Sequence, residues 1–138
     1  MPEGVMFQYQ GQIQTVYFVN PKAMLPVCLV DGQLRLLTWG RRKSQAGELP
    51  LGGWANLQAI YKGKWDIYIP KPVRLPIIKF MEKDFEGNTH WYDVTPGHWI
   101  QGLVASEAGE IRIYIVTIIP ELHNIYHDRW PRIMASMK

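Results

Sequence analysis

Apolar and polar residues alternate with a period of two through most of this chain, and Gly or Pro breaks the alternation about every eight to twelve residues. An extended chain sends successive side chains to opposite faces, so the pattern predicts a mostly antiparallel β domain and leaves little room for helix. Residues 12–19 alternate, and residues 25–30 and 34–38 flank Asp31-Gly32, a pair suited to the positive φ angles of a tight hairpin. Residues 73–81, 90–94, 99–105 and 111–119 supply further predicted strands, separated by Gly87-Asn88, Thr95-Pro96-Gly97 and Glu107-Ala108-Gly109-Glu110. Helices are expected only over residues 55–61 and 120–126, the second opening on Pro120 and Glu121, which suit a first helical turn. No repeat, low-complexity tract or linker divides the chain. Residues 40–53, with Arg41-Arg42-Lys43 and Gly52-Gly53, form a long loop of the kind that carries function.

At 138 residues the chain is expected to fold as one domain, 1–138, large enough for one core and not for two. A net charge of +3 permits a polyanionic partner without requiring one. The single cysteine excludes an intramolecular disulfide and any multi-thiolate metal site, and suits a reducing compartment; Cys28, in an apolar run, reads as a small buried hydrophobe. Met1-Pro2-Glu3-Gly4 lacks the basic flank and apolar core of a signal peptide, and the longest apolar run, 111–119, is interrupted by Arg112 and too short to cross a bilayer. A soluble, cytoplasmic protein without a membrane partner is the expectation. His123 and His127 stand four apart but lack a third ligand, so no zinc site is assigned. Ser44, Ser106 and Ser136 show no nucleophile elbow and no phosphate loop is present, so hydrolase and nucleotidase readings fall and no cofactor is expected.

The densest chemistry lies in His127-Asp128-Arg129-Trp130-Pro131, which sets an imidazole beside a carboxylate, a guanidinium and an indole, just ahead of a proline that stops a helix. A histidine with a neighbouring aspartate also serves as a satisfied structural pair. Of the six tryptophans, Trp91 and Trp99 fall on predicted strands, whereas Trp39, Trp54 and Trp130 sit at element ends beside Gly40-Arg41-Arg42, Gly52-Gly53 and Arg129. Such rings either stack on nucleic acid bases or plug the ends of a barrel with their N–H groups bonded to backbone.

The order Tyr17-Phe18-Val19-Asn20-Pro21, Pro26-Val27 with Asp31-Gly32, Leu37-Thr38-Trp39-Gly40, Trp54-Ala55-Asn56-Leu57-Gln58-Ala59, Lys79-Phe80-Met81-Glu82-Lys83, Ile115-Val116-Thr117 and His127-Asp128-Arg129-Trp130-Pro131 resembles the SOS response-associated peptidase (SRAP) family. The likeness runs from about Tyr17 to Met134 and rests on the order of the motifs. It implies an α+β domain built round a strongly curved, barrel-like antiparallel sheet with few short helices, and binding of single-stranded DNA at abasic sites in the DNA damage response. In that family a cysteine exposed by removal of the initiator methionine closes a thiazolidine on the sugar aldehyde, and also serves self-processing. The resemblance makes Glu82 and His127 the proton-transfer groups, and it places Trp39, Gly40, Arg41, Arg42, Asn56, Arg129 and Trp130 along the DNA. Here the second residue is Pro2, so thiazolidine chemistry is not available to the chain as written, and Cys28 does not substitute because the ring needs an amine and a thiol of one residue. The arginine of the family's Asn-Ala-Arg motif is lost, and Asn56 matches in either of two registers. The chain looks like a shortened, phage-like or degenerate member, truncated at both ends relative to the family. Three functions follow as expectations: a binder of abasic or flexed single strands without the cysteine adduct; a reduced enzyme acting on the abasic sugar through Glu82, His127 and a Pro2 amine; or a phage structural or interaction protein that has lost the site.

Overall fold

The computed structural model describes residues 1–119 and 129–135. In chain order the strands are β1 (Gly4–Tyr9), β2 (Gln12–Tyr17), β3 (Met24–Cys28), β4 (Leu34–Thr38) and β5 (Trp54–Asn56), followed by a five-residue helix α1 (Leu57–Tyr61). After a 3-10 turn at Asp66–Tyr68 come β6 (Lys71–Leu75), β7 (Lys79–Lys83), β8 (Thr89–Asp93), β9 (His98–Glu107), β10 (Glu110–Ile118), β11 (Trp130–Pro131) and β12 (Ile133–Ala135). One sheet has the order β2-β1-β7-β8; the other runs β11-β10-β9-β6-β3-β4, with β12 on β9 and β5 lying parallel to β10. The mostly antiparallel, helix-poor architecture is the expected one, but the described strands form two sheets that do not close into a barrel.

The predicted strand over 73–81 is two strands in two different sheets. Pro76 has no N–H to extend a ladder, the Ile77 N–H turns back to the Leu75 carbonyl at 2.9 Å, and Ile78 then donates to Met6 at 2.8 Å in the first sheet. Apolar alternation carries straight through this crossing, which is why it reads as one element. β1, which the sequence did not announce, turns into β2 at Gln10-Gly11, both at positive φ (51° and 78°). At Asp31-Gly32 the turn is wider than two residues: Leu29 donates to the Gln33 carbonyl at 2.8 Å and Gln33 to the Asp31 carboxylate at 2.9 Å. The predicted helix over 55–61 starts later, because Trp54–Asn56 pair with β10 and the Asn56 side chain then caps α1 by accepting from Gln58 N at 2.9 Å. The helix expected over 120–126 lies outside the described residues.

The main core sits between the sheets, where Val5, Phe7 and Phe80 meet Leu25, Val27, Leu75, Ile100, Ile113 and Ile115. The second sheet is buried on its other face too, where Leu103, Ala105, Tyr114 and Val116 pack against Leu49, Trp65 and partly buried residues of α1. Burial on both faces accounts for the unbroken apolar run Ile113-Tyr114-Ile115-Val116.

Candidate functional site around Glu82

Glu82 lies on β7, directly opposite His90 on β8, and is fully buried. A carboxylate taken out of water needs a charged or hydrogen-bonding partner. The Met1 amine supplies one, donating to Glu82 Oε1 at 2.7 Å and to the Arg129 carbonyl at 3.1 Å. Backbone pairing brings it there: Glu3 donates to the Met81 carbonyl and Phe18 to the Glu3 carbonyl, each at 2.9 Å, so the residues ahead of β1 continue its path beside β7. Pro2 is buried, and its carbonyl accepts from the Trp54 indole at 2.7 Å.

Aromatic rings pack on one another further along the same hairpin. Phe80 stands two residues before Glu82 on the same face of β7, opposite Tyr92, and Trp130 packs edge-on against both at centroid distances of 5.0 Å and 4.9 Å. Burial first, and then the charges of Glu82 and Asp84, push the Tyr92 hydroxyl above its usual range. A little further along, the His90 ring lies 2.8 Å from Asp84 Oδ2. That contact first, with N–H donors from Asn88 and Glu86, draws the Asp84 carboxyl down to about 2. An amine held against a buried carboxylate is equipped to pass a proton between the two.

Of the residues expected in the site, Glu82, Arg129, Trp130 and Pro2 come together here. Arg129 contributes its carbonyl, and the Trp130 ring is held by packing on Phe80 and Tyr92. Pro2 is one residue removed from the amine, which in this chain belongs to Met1. His127 and Asp128 lie outside the described residues.

The group centred on Trp39 and the 40–53 loop has a different task. Trp39 is fully buried with its indole N–H on the Gly53 carbonyl at 3.0 Å, so it offers no ring face to a base. Gly40 is buried at φ +57°, where an added Cβ would stand 2.1 Å from the Gly52 carbonyl oxygen. Arg41 donates to the carbonyls of Leu49 (2.7 Å) and Gln45 (2.9 Å). The Arg42 guanidinium covers the Phe18 ring at 4.0 Å and donates to the carbonyls of Phe18, Trp39 and Asn20, with burial and the nearby Arg112 lowering its pKa. These donors are engaged within the fold. Phe18, Trp39 and Trp54 form a mutual ring cluster, and Trp54 carries Pro2, so the loop buttresses the N-terminal segment instead of lining a groove. Asn56 is a helix cap.

The sequence reading missed Met1, His90 and Tyr92. His90 was findable, since a hairpin turning at Gly87-Asn88 sets it opposite Glu82. Nothing in a periodic pattern says where a terminal amine lands. Among the described residues no group of His, Cys, Asp and Glu is placed to hold a metal ion, and no helix is long and apolar enough to cross a membrane. Searched against models of known families, curated proteins and solved structures, the chain matches none.

Proposed function

We propose that this protein binds single-stranded DNA at abasic sites as an SRAP-like member of the DNA damage response, its two sheets serving as an opened form of the barrel that the family resemblance implies. The observation that carries this reading is the buried Glu82 carboxylate, 2.7 Å from a Met1 amine that also bonds the Arg129 carbonyl, with Trp130 packed on the neighbouring Phe80 and Tyr92. The abasic deoxyribose is the one nucleotide unit that exposes an aldehyde and has no base to occupy space beside aromatic walls.

The same contact favours a second reading, in which the site acts on the sugar. A deprotonated Met1 amine attacks the aldehyde carbon to give a carbinolamine, and loss of water with a proton from Glu82 gives an imine. With no thiol on that residue to close a ring, the adduct stays hydrolysable. If Met1 is removed, the Pro2 nitrogen becomes a secondary amine, which gives an iminium instead. The test uses protein beginning at Met1 and at Pro2, each incubated with abasic single-stranded DNA with and without borohydride. A mass adduct trapped only by reduction, and reduced at least tenfold in rate by Glu82→Gln, is the expected result. Binding of abasic strands no tighter than duplex DNA removes the first reading, and absence of a trapped adduct removes the second.

A further inference from the structure

The face of the second sheet that is turned away from the first sheet gathers hydrogen-bond donors at one place. β6 and β9 pair with Pro72 opposite Leu103 and Arg74 opposite Gln101, so Pro72, Arg74 and Gln101 share the face on which Leu103 joins the cluster around Trp65. Trp99, two residues before Gln101 on β9, belongs to the same face. Together with Val73 these residues line a depression of about 250 Å³. The Arg74 guanidinium lies over the Trp99 ring at 4.9 Å. On the other side of β9, Arg132 accepts from Gln101 N at 3.0 Å, and its guanidinium donates to Gln101 Oε1 at 2.6 Å.

A guanidinium offers donors only, so the Gln101 oxygen is the atom spent on Arg132 and the NH2 group is its free end. The Trp99 indole N–H is buried and has no acceptor among the described residues. Buried N–H groups are nearly always paired, and those of Trp39 and Trp54 in this protein bond backbone carbonyls. Arg74 is exposed, neither Arg74 nor Arg132 has an ion pair among the described residues, and no Asp or Glu lines the depression. This is the reverse of Arg41 and Arg42, whose donors are committed to carbonyls. The unspent side-chain groups at the depression are therefore all donors, on Arg74, Gln101 and Trp99, with Arg132 as a second positive charge behind Gln101.

We propose that this depression is a binding site for a phosphate monoester, held by Arg74, the Gln101 amide and the Trp99 indole N–H, with Arg132 adding charge and fixing Gln101. Donors on three separate side chains suit a tetrahedral oxyanion. A planar carboxylate is satisfied by two N–H groups of one guanidinium and leaves Gln101 and Trp99 unused. A phosphodiester has one charge, whereas a monoester carries roughly two near neutral pH, matching the two guanidiniums. Stacking on Trp99 holds the Arg74 fork in place before a ligand arrives. Free phosphate, a small phosphomonoester and the phosphorylated end of a strand share this chemistry. The site lies on the face of the second sheet away from the strand that carries Glu82, and it stands whether or not the abasic-site reading does.

The test follows the indole N–H signals of the six tryptophans by two-dimensional NMR of the full chain, with Trp99→Phe identifying the Trp99 signal. Inorganic phosphate and glycerol phosphate are each expected to move that signal to a saturating limit. The Trp39 and Trp54 signals, already bonded to carbonyls, should stay in place and report that each variant is folded. Arg74→Gln should weaken phosphate by about tenfold or more, the loss of a charged hydrogen bond, and Arg132→Gln by less. Lys62→Gln, an exposed cation elsewhere, should change nothing. A still Trp99 signal overturns the proposal, as does a movement that chloride reproduces at equal ionic strength or an affinity that Arg74→Gln leaves intact. Acetate acting as strongly as phosphate overturns it in favour of a carboxylate, and a hydroxyl-ended oligothymidylate acting as strongly overturns it in favour of a diester. A 5′-phosphorylated oligothymidylate saturating the signal at lower concentration than inorganic phosphate makes the ligand a strand end; equal or weaker action makes it a free phosphomonoester. No abasic sugar enters the assay, so its failure leaves the Glu82 reading where the borohydride experiment puts it.

Discussion

Two clusters of cations beside tryptophan occupy this molecule, and they differ in what their donors are doing. At Arg41 and Arg42 the guanidiniums reach into the fold and hold carbonyls of Phe18, Trp39, Asn20, Gln45 and Leu49, so a loop that reads as a nucleic acid surface is a clamp. Along β6, Lys71 and Arg74 are exposed on opposite faces of the strand, Arg74 over the Trp99 ring, and neither has an ion pair among the described residues. A cation is available to a ligand only when the fold has not already used it. Clustering in the sequence measures the number of charges and says nothing of this availability.

The comparison is broken most severely by Trp39→Ala. If the clamp is structural, emptying this fully buried site costs about 3–5 kcal/mol, read by chemical denaturation. Arg42→Lys comes next: the ammonium cannot span the three carbonyls or cover the Phe18 ring, and a loss of about 2–3 kcal/mol is expected. Its affinity for single-stranded DNA, measured on the folded protein, should stay within about twofold of the parent, because its donors are already taken by carbonyls. A large affinity loss with unchanged stability would reverse the roles of the two regions. Acetylating the Met1 amine removes the charge facing the fully buried Glu82 and is expected to cost about 1.5–2 kcal/mol, the lower end for a hydrogen bond between charged groups, because the contact is only partly buried. The smallest effect is at the β7–β8 turn. Asp84 has its carboxyl lowered to about 2, so its contribution is present above the ordinary carboxylate value near 3.9 and is lost as pH falls through about 2. An NMR titration of the Asp84 carboxyl should show that midpoint, moving upward in His90→Ala.

Much of the β framework was legible. β4, β8 and β10 lie within a residue or so of their predicted positions because each is bounded by a strong turn, at Asp31-Gly32, Gly87-Asn88 and Ala108-Gly109. β6 and β7 were fused because Val73, Leu75, Ile77 and the residues after them keep the apolar pattern while the chain changes sheets, and only Pro76 marks the break. Glu82 was reached through motif order, and the fold encloses it as a buried carboxylate must be enclosed. Its amine partner was not reached, since the contact is made by β1 lying against β7 across the length of the sequence. The fate of Arg42 was hidden for a related reason. Its acceptors are backbone carbonyls, which every residue has and no side-chain pattern reveals.

The pairing of Val5 with Phe80 also sets a clock. On a ribosome adding roughly 5–20 residues per second, the partner strand for β1 is made about 4–15 seconds after β1 itself. During that interval β1 has only β2 beside it, and Pro2, buried in the finished protein, has neither the Trp54 indole nor the β7 backbone against it. Pro2 is thus left uncovered on a nascent, open hairpin, and only the docking of β7 brings the Glu82 carboxylate to the Met1 amine. Met1 itself stays exposed in the finished fold, so what β7 closes over is the second residue and not the first.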